Sequence, residues 1–272
     1  MGFIVGIDGT AGSGKGTVTK AISSKLNLVN IDTGSTYRCV ALAGLRAGAI
    51  QNGNIDKDKV IALLDDIVIS IENTPEGDKI YLNGEDVTRK IRERDVTEVV
   101  SPVSSIKEVR YKMVDLQREM AEGKDIIMEG RDICTYVFPN ADVKIYLDAT
   151  EEERAKRRLL EMQEKGIDMT YEEVLDNIRK RDHNDKIKEV GALKITEESI
   201  VIDTTNLTIE EVQNKIIEIE VNTKQEHEDG DDPLQIGGIA ADAVGLDAEA
   251  SRSRCANGVD QAFKQIHTAA EE

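Results

Sequence analysis

Tryptophan is absent from this 272-residue chain and aromatic residues make up only 3% of it, which leaves no stacking platform for single-stranded nucleic acid. Cysteine is scarce: Cys39, Cys134 and Cys255 stand far apart, with no Cys-x-x-Cys pair. They read as reduced thiols of a cytoplasmic protein. His183, His227 and His267 have no metal-ligand spacing, so no protein metal ligand is assigned. No apolar run approaches the roughly 20 residues that a membrane helix needs. The opening Met1-Gly2-Phe3-Ile4-Val5 lacks the basic stretch of a signal peptide. Positive charge is outnumbered, 35 Lys and Arg against 53 Asp and Glu, for a net charge of -18. Such a chain repels phosphate backbones, which excludes a nucleic-acid polymer as partner. A small nucleotide can still bind where the basic residues converge.

What is present is an alternation. Five short β-branched runs read as buried parallel strands: 3–7, 28–31, 125–128, 143–147 and 199–202. Helical patterns fall between and after them at 15–26, 35–47, 107–122, 150–165, 171–186 and 208–221. The alternation predicts an α/β fold with a doubly wound, five-stranded parallel sheet. Three runs at 67–71, 79–82 and 85–87, with Glu76-Gly77-Asp78 and Asn83-Gly84 between them, read as short antiparallel strands. The expected organisation is a core with a phosphate loop at 1–59, an inserted monophosphate-binding subdomain at 60–100, and core plus a helical lid (about 151–190) at 101–221. An acidic tail, expected to be disordered, occupies 222–272 and contains a weakly helical stretch at 259–270.

The first strand runs into Gly9-Thr10-Ala11-Gly12-Ser13-Gly14-Lys15-Gly16-Thr17 and a helical pattern follows. Strand, Gly-x4-Gly-Lys and helix together form a phosphate-binding loop. The glycines let backbone N–H groups face a phosphate, the helix N-terminus adds its dipole, and Lys15 brings a mobile positive charge. The loop alone says that a nucleoside triphosphate binds. A guanine-nucleotide switch needs Asn-Lys-x-Asp, and the nearest match, Asn214-Lys215-Ile216-Ile217, lacks the Asp. A phosphotransferase needs a second cationic site for its acceptor, and arginines follow the predicted strands at Arg38 and Arg131, with Arg181 and Asp185 farther on.

Gly-Lys-Gly-Thr at the loop and Asp32-Thr33-Gly34-Ser35-Thr36-Tyr37-Arg38 resemble the bacterial cytidylate (CMP) kinase family over about residues 2–221. So do the Ser101–Arg110 spacing, Gly130-Arg131-Asp132 and Arg181-Asp182-His183-Asn184-Asp185. The resemblance implies transfer of the γ-phosphoryl group of ATP to CMP or dCMP, with Mg²⁺ entering alongside ATP, in a monomer. It assigns Gly9 to Thr17 to ATP. It assigns Thr33, Arg38, Ser101, Arg110, Arg131, Asp132, Arg181, Asp185 and Lys188 to CMP, and Lys15, Arg131, Arg157 and Arg181 to catalysis. A cytosine edge offers one amino donor and two acceptors, which suits Asp132 with Ser101 and Arg110. Kinases for UMP, AMP or shikimate, or a non-catalytic nucleotide switch, are the alternatives. The chain departs from the family pattern at Lys188 and at Cys134, where arginine and glycine are usual. It also lacks the proline usual in the segment after Lys188. On the lid, Arg154, Arg157 and Arg158 read either as a solvated basic face or as charge brought over ATP.

Overall fold

Strand β1 (Ile4–Gly9) is buried along its whole length and forms the middle of the sheet. The computed structural model describes residues 2–74, 77–164 and 166–229. The acidic block beyond Asp229, Cys255, His267 and the helical stretch expected at 259–270 lie outside the described residues. The elements after β1 are α1 (Lys15–Ser23), β2 (Val29–Asp32), α2 (Thr33–Arg46), β3 (Ile50–Gln51), β4 (Asn54–Ile55) and α3 (Lys57–Ala62). Then come β5 (Ile69–Thr74), β6 (Gly77–Leu82), β7 (Glu85–Asp86), α4 (Arg94–Val103), α5 (Lys107–Ala121) and β8 (Ile126–Glu129). The chain continues through β9 (Val143–Asp148), α6 (Glu151–Glu164), α7 (Tyr171–Ile187), β10 (Ile200–Asp203) and α8 (Ile209–Asp229).

The main sheet has the order β10-β9-β1-β8-β2 and every pairing is parallel. Such a sheet must be covered on both faces. Val18 and Ile22 of α1, with Val212, Ile216 and Ile219 of α8, close one face over Val5, Ile7, Ile145 and Leu147. Val114 of α5 and the π-helical turn Ile133–Val137 close the other. Each fully buried Ile or Leu contributes about 2 kcal/mol.

All five expected strands form, and each runs past its apolar run to an acidic residue. The sequence at the ends reads Asp8-Gly9, Asp32, Glu129, Asp148 and Asp203. Hydrophobicity marks where a strand is buried, whereas the ladder continues to the rim where the ligand cleft opens.

The antiparallel strands also form, as β5-β6-β7, with Asn83 and Gly84 both at positive φ in the turn. Their apolar side chains share one core with α2, α4 and α5, including Tyr37, Val40, Ile80, Leu82 and Val96. The expected boundary at residue 100 falls inside α4, a helix the sequence reading missed. Its Val96, Val99, Val100 and Val103 keep helical spacing and are all buried, but β-branched residues and Pro102 hide it.

The expectation of disorder from 222 is corrected by α8, which continues to Asp229. Thr223 is buried, Lys224 sits 4.9 Å from the Phe3 ring centroid, and His227 meets that ring edge-on. The last turns of α8 therefore cover the N-terminal strand. Ending the chain after Val221 is expected to cost about 2 kcal/mol, read as a lower urea midpoint than that of a chain ending after Asp229.

Candidate functional site: a two-sided cationic cleft

A cleft of about 2350 Å³ opens at the carboxyl ends of the strands. That exceeds the roughly 300–1,000 Å³ of a site for one small ligand. One wall is the loop between β1 and α1. Gly14 caps α1 with φ 92° and no side chain caps the helix, so the N–H groups of the first turn stay open to an anion. A side chain at Gly9 would run into the backbone of Leu147. Lys15 is buried, and its Nζ donates to Gly9 O (2.9 Å) and Thr10 O (2.7 Å). Burial, then repulsion from Arg131 and Arg181, pushes its ammonium down to about 7. An arriving phosphate reverses that penalty. Thr10 is fixed by its hydroxyl on Asp148 (2.8 Å). Ala11 differs from its neighbours, because its N–H is already taken by Asp182 (3.3 Å).

The facing wall gathers cations around one carboxylate. Arg131 Nε donates to Asp185 (2.9 Å), and Lys188 Nζ meets the other Asp185 oxygen at 2.9 Å. Burial raises the Asp185 carboxyl, but Arg131, Lys188 and Arg181 outweigh it and hold the group down to about 2. Arg181 has no hydrogen bond or ion pair among the described residues. Burial, followed by the charge of Arg131, pushes it down to about 10. Arg38 is tied to Ile91 O (3.0 Å) and Thr97 (2.9 Å), both from the inserted lobe. Thr33 spends its hydroxyl proton on Glu129 O (2.7 Å), which fixes the start of α2 to the end of β8.

Deeper in the cleft Arg110 and Asp132 form a buried ion pair, with the Arg110 guanidinium 5.5 Å from the Tyr37 ring centroid. Arg110 Nε and Ser101 Oγ are buried without a partner. Unpaired buried polar atoms are costly, and these two stand ready for a polar ligand edge. Gly191 lies against the pair at φ +66°, where any side chain would strike both Arg110 and Asp132. Lys188, in place of the family's usual arginine, still reaches Asp185 and also Ser104 (3.2 Å).

The segment expected as the lid is α6 with α7, joined by buried Ala155, Val174 and Ile178 with Leu159, Met169, Tyr171 and Leu175 packed against them. Arg157 is not brought to the acceptor wall. It is bound to Glu153 (3.0 Å) and to the Thr204 hydroxyl (3.0 Å) and carbonyl (2.6 Å), on the triphosphate side. Arg154 is no solvated residue. It is 3% exposed and bonded to Ala149 O, Ala11 O and Asp182.

The family model for cytidylate kinase matches residues 5–222. The chain belongs to the cytidylate kinase family. A cytidylate kinase of Caldicellulosiruptor saccharolyticus is 47% identical over 215 residues, covering 79% of this chain and 94% of that protein. One from Fusobacterium nucleatum is 48% identical over 214 residues, covering 79% and 95%. One from Lactobacillus johnsonii is 43% identical over 226 residues, covering 82% and 95%. No helix among the described residues is long and apolar enough to cross a membrane.

This cytidylate kinase family member also carries site residues that sequence reasoning passed over. Glu129 pairs in register with Asp32 at the rim. Burial first, and the like charge of Asp32 next, raise its pKa. Asp8, one residue before the loop, is 1% exposed and accepts the N–H groups of Ile133 and Cys134, each at 2.8 Å. It thereby holds the turn that follows Arg131 and Asp132. Both signals were acidic residues at strand ends, which apolar patterning does not weigh.

Burial, assisted by Asp132, pushes the Asp8 carboxyl up to about 6 from an ordinary 3.8, against its two N–H bonds. The folded state therefore keeps a proton that the unfolded chain releases, and stability falls as pH rises between these values. Relative to Asp8→Asn, the wild type is expected to lose about 2 kcal/mol between pH 4 and pH 7. Urea unfolding of both proteins across that range measures it.

Proposed function

We propose that the protein transfers the γ-phosphoryl group of ATP directly to the phosphate of CMP or dCMP, giving ADP and CDP or dCDP. The observation that carries this reading is the gathering of Arg131, Arg181 and Lys188 around Asp185, opposite an open phosphate loop. Two polyanions repel each other, and a kinase must bring them into line. A wall of fixed cations facing a loop of N–H donors does this without reorganising at the moment of transfer.

On this reading Gly9 to Thr17 hold ATP, with Ala11 giving shape to the loop through its backbone rather than a free donor. Arg38, Arg131, Arg181 and Lys188 neutralise the acceptor phosphate, while Asp185 orients Arg131 and Lys188. Asp132 accepts from the amino group of cytosine, and Arg110 and Ser101 satisfy its acceptors. Uracil would set an acceptor against that carboxylate and leave buried groups unpaired. Thr33 positions the start of α2 beside them. Arg157 serves the donor side, on Thr204. The acceptor phosphate is itself the nucleophile, so no side chain needs to form a covalent intermediate.

Mg²⁺ enters with ATP. Glu129, in register with Asp32 at the rim, would be the hard oxygen ligand that holds it through water, since Mg²⁺ keeps much of its hydration shell, while both Asp32 oxygens already accept from Ser35. Gly16 leaves room for this, because a side chain there would press on Glu129. When bound, the ion neutralises charge between the β- and γ-phosphates. This reading needs no residue from a second copy, so a monomer would suffice for the reaction. The protein works in the cytoplasm, where the buried thiols Cys39 and Cys134 stay reduced.

Arg131→Ala is expected to lower kcat with CMP by about 10²–10³-fold, while the Kd for ATP changes less than about threefold. A coupled assay with CMP, dCMP, UMP and AMP, paired with calorimetric ATP binding, measures both. Preserved turnover in the variant, or faster turnover with UMP or AMP, removes this reading.

A further inference from the structure

Helices α6 and α7 pack on each other through their own apolar cluster, and their attachment to the phosphate loop is polar. Asp182 Oδ1 accepts the N–H of Ala11 (3.3 Å), while Asp182 Oδ2 accepts from Arg154 Nη1 (2.6 Å). The same Nη1 donates to Ala11 O (2.9 Å), and Arg154 Nε donates to Ala149 O (2.9 Å) at the end of β9. Both backbone groups of Ala11 are thus gripped by one buried ion pair. Gly12 lets Arg154 come this close, since a side chain there would touch the Arg154 Cβ at 3.3 Å.

Asp182 lies on α7 between Arg181 and Asp185. Residues three apart share a helix face, so the carboxylate that grips Ala11 adjoins the one that orients Arg131. Arg181 is the next residue back and makes no hydrogen bond or ion pair among the described residues, although the charge of Asp185 on the same helix favours its charged form. Its position is therefore set by the helix that carries it, and Asp182 is the residue through which α7 is tied to the phosphate loop.

We propose that Asp182 and Arg154 form a positioning joint that sets α7, and with it Arg181, at a fixed distance from the phosphate loop. The joint aligns the acceptor cations with the γ-phosphate without touching either nucleotide. A charged and desolvated pair holds its geometry better than an exposed one, and its bonds end on the backbone of the donor loop itself. The inference rests on the phosphoryl transfer proposed above.

Asp182→Asn keeps the shape but places an amide donor where either Ala11 N–H or Arg154 needs an acceptor. Arg154→Lys cannot serve Ala149, Ala11 and Asp182 at once with one ammonium. Each is expected to lower kcat about tenfold or more, with KM for CMP and ATP changed less than about threefold. The decisive reading is a double-mutant cycle. If Asp182 acts through Arg181, Asp182→Asn should cost less than about twofold in an Arg181→Ala background.

Thermal unfolding and ATP-binding stoichiometry give the folded fraction, so kcat is expressed per competent site. If Asp182→Asn does not fold, Arg154→Lys enters the same cycle. An unchanged kcat, or an equal loss in both backgrounds, overturns the proposal. Failure of both variants to fold assigns the pair to stability alone and overturns it too. A wild-type protein inactive on CMP counts instead against the reaction, which separates the two failures.

Discussion

Three cations stand together at the carboxyl end of the sheet, and their mutual repulsion is the constraint on which the structure turns. Lys15 and Arg181 are each driven down in pKa by burial and by the charge of Arg131. Like charges at this separation in a desolvated cleft oppose folding. The chain sets few anions against them: Asp185 binds Arg131 and Lys188, and Glu129 and Asp32 line the rim nearby. The cationic excess that remains is what phosphate groups relieve on binding. An acidic chain thus attracts small anions at one place while repelling extended polyanions elsewhere.

The lid follows from the same constraint. Its two helices pack on each other through a small apolar cluster of their own, while polar bonds tie them to the phosphate loop, to Thr204 and to Arg131. Segments with little apolar burial open at low free-energy cost, which suits a part that must admit and release nucleotides. The core beneath does the reverse: Ile7, Ile127, Ile145 and Leu147 have no exposed surface, and they hold the strand ends in register.

Much of this was legible in the sequence. The apolar runs fixed the five strands, and Asn83-Gly84 gave the hairpin turn because both positions need positive φ. The loop's glycines, and the arginines after two of the strands, led to the cleft, where Arg131, Asp185, Arg181 and Lys188 stand together. The misses share a cause. Helix α4 was hidden because four valines and a proline are poor helix formers that packing overrides. The last turns of α8 were lost in an acidic tail because only tertiary contact with Phe3 reveals them. Arg154 and Arg157 look alike on a helical wheel, yet one is buried on Ala11 and the other lies on Thr204. Asp8 reads as a polar interruption of a strand. Its use appears only when Ile133 and Cys134, more than a hundred residues later, arrive as donors.

The placement of β1 has a consequence for how the molecule is made. This strand is made well before its two neighbours, β8 and β9, which begin at Ile126 and Val143, and before its covering helix α8, which begins at Ile209. Parallel pairing over such separations delays folding until most of the chain exists. The nascent β1, with the phosphate loop already attached, waits as an unpaired apolar segment until β8 and β9 have been made, a period in which chaperone capture competes with aggregation.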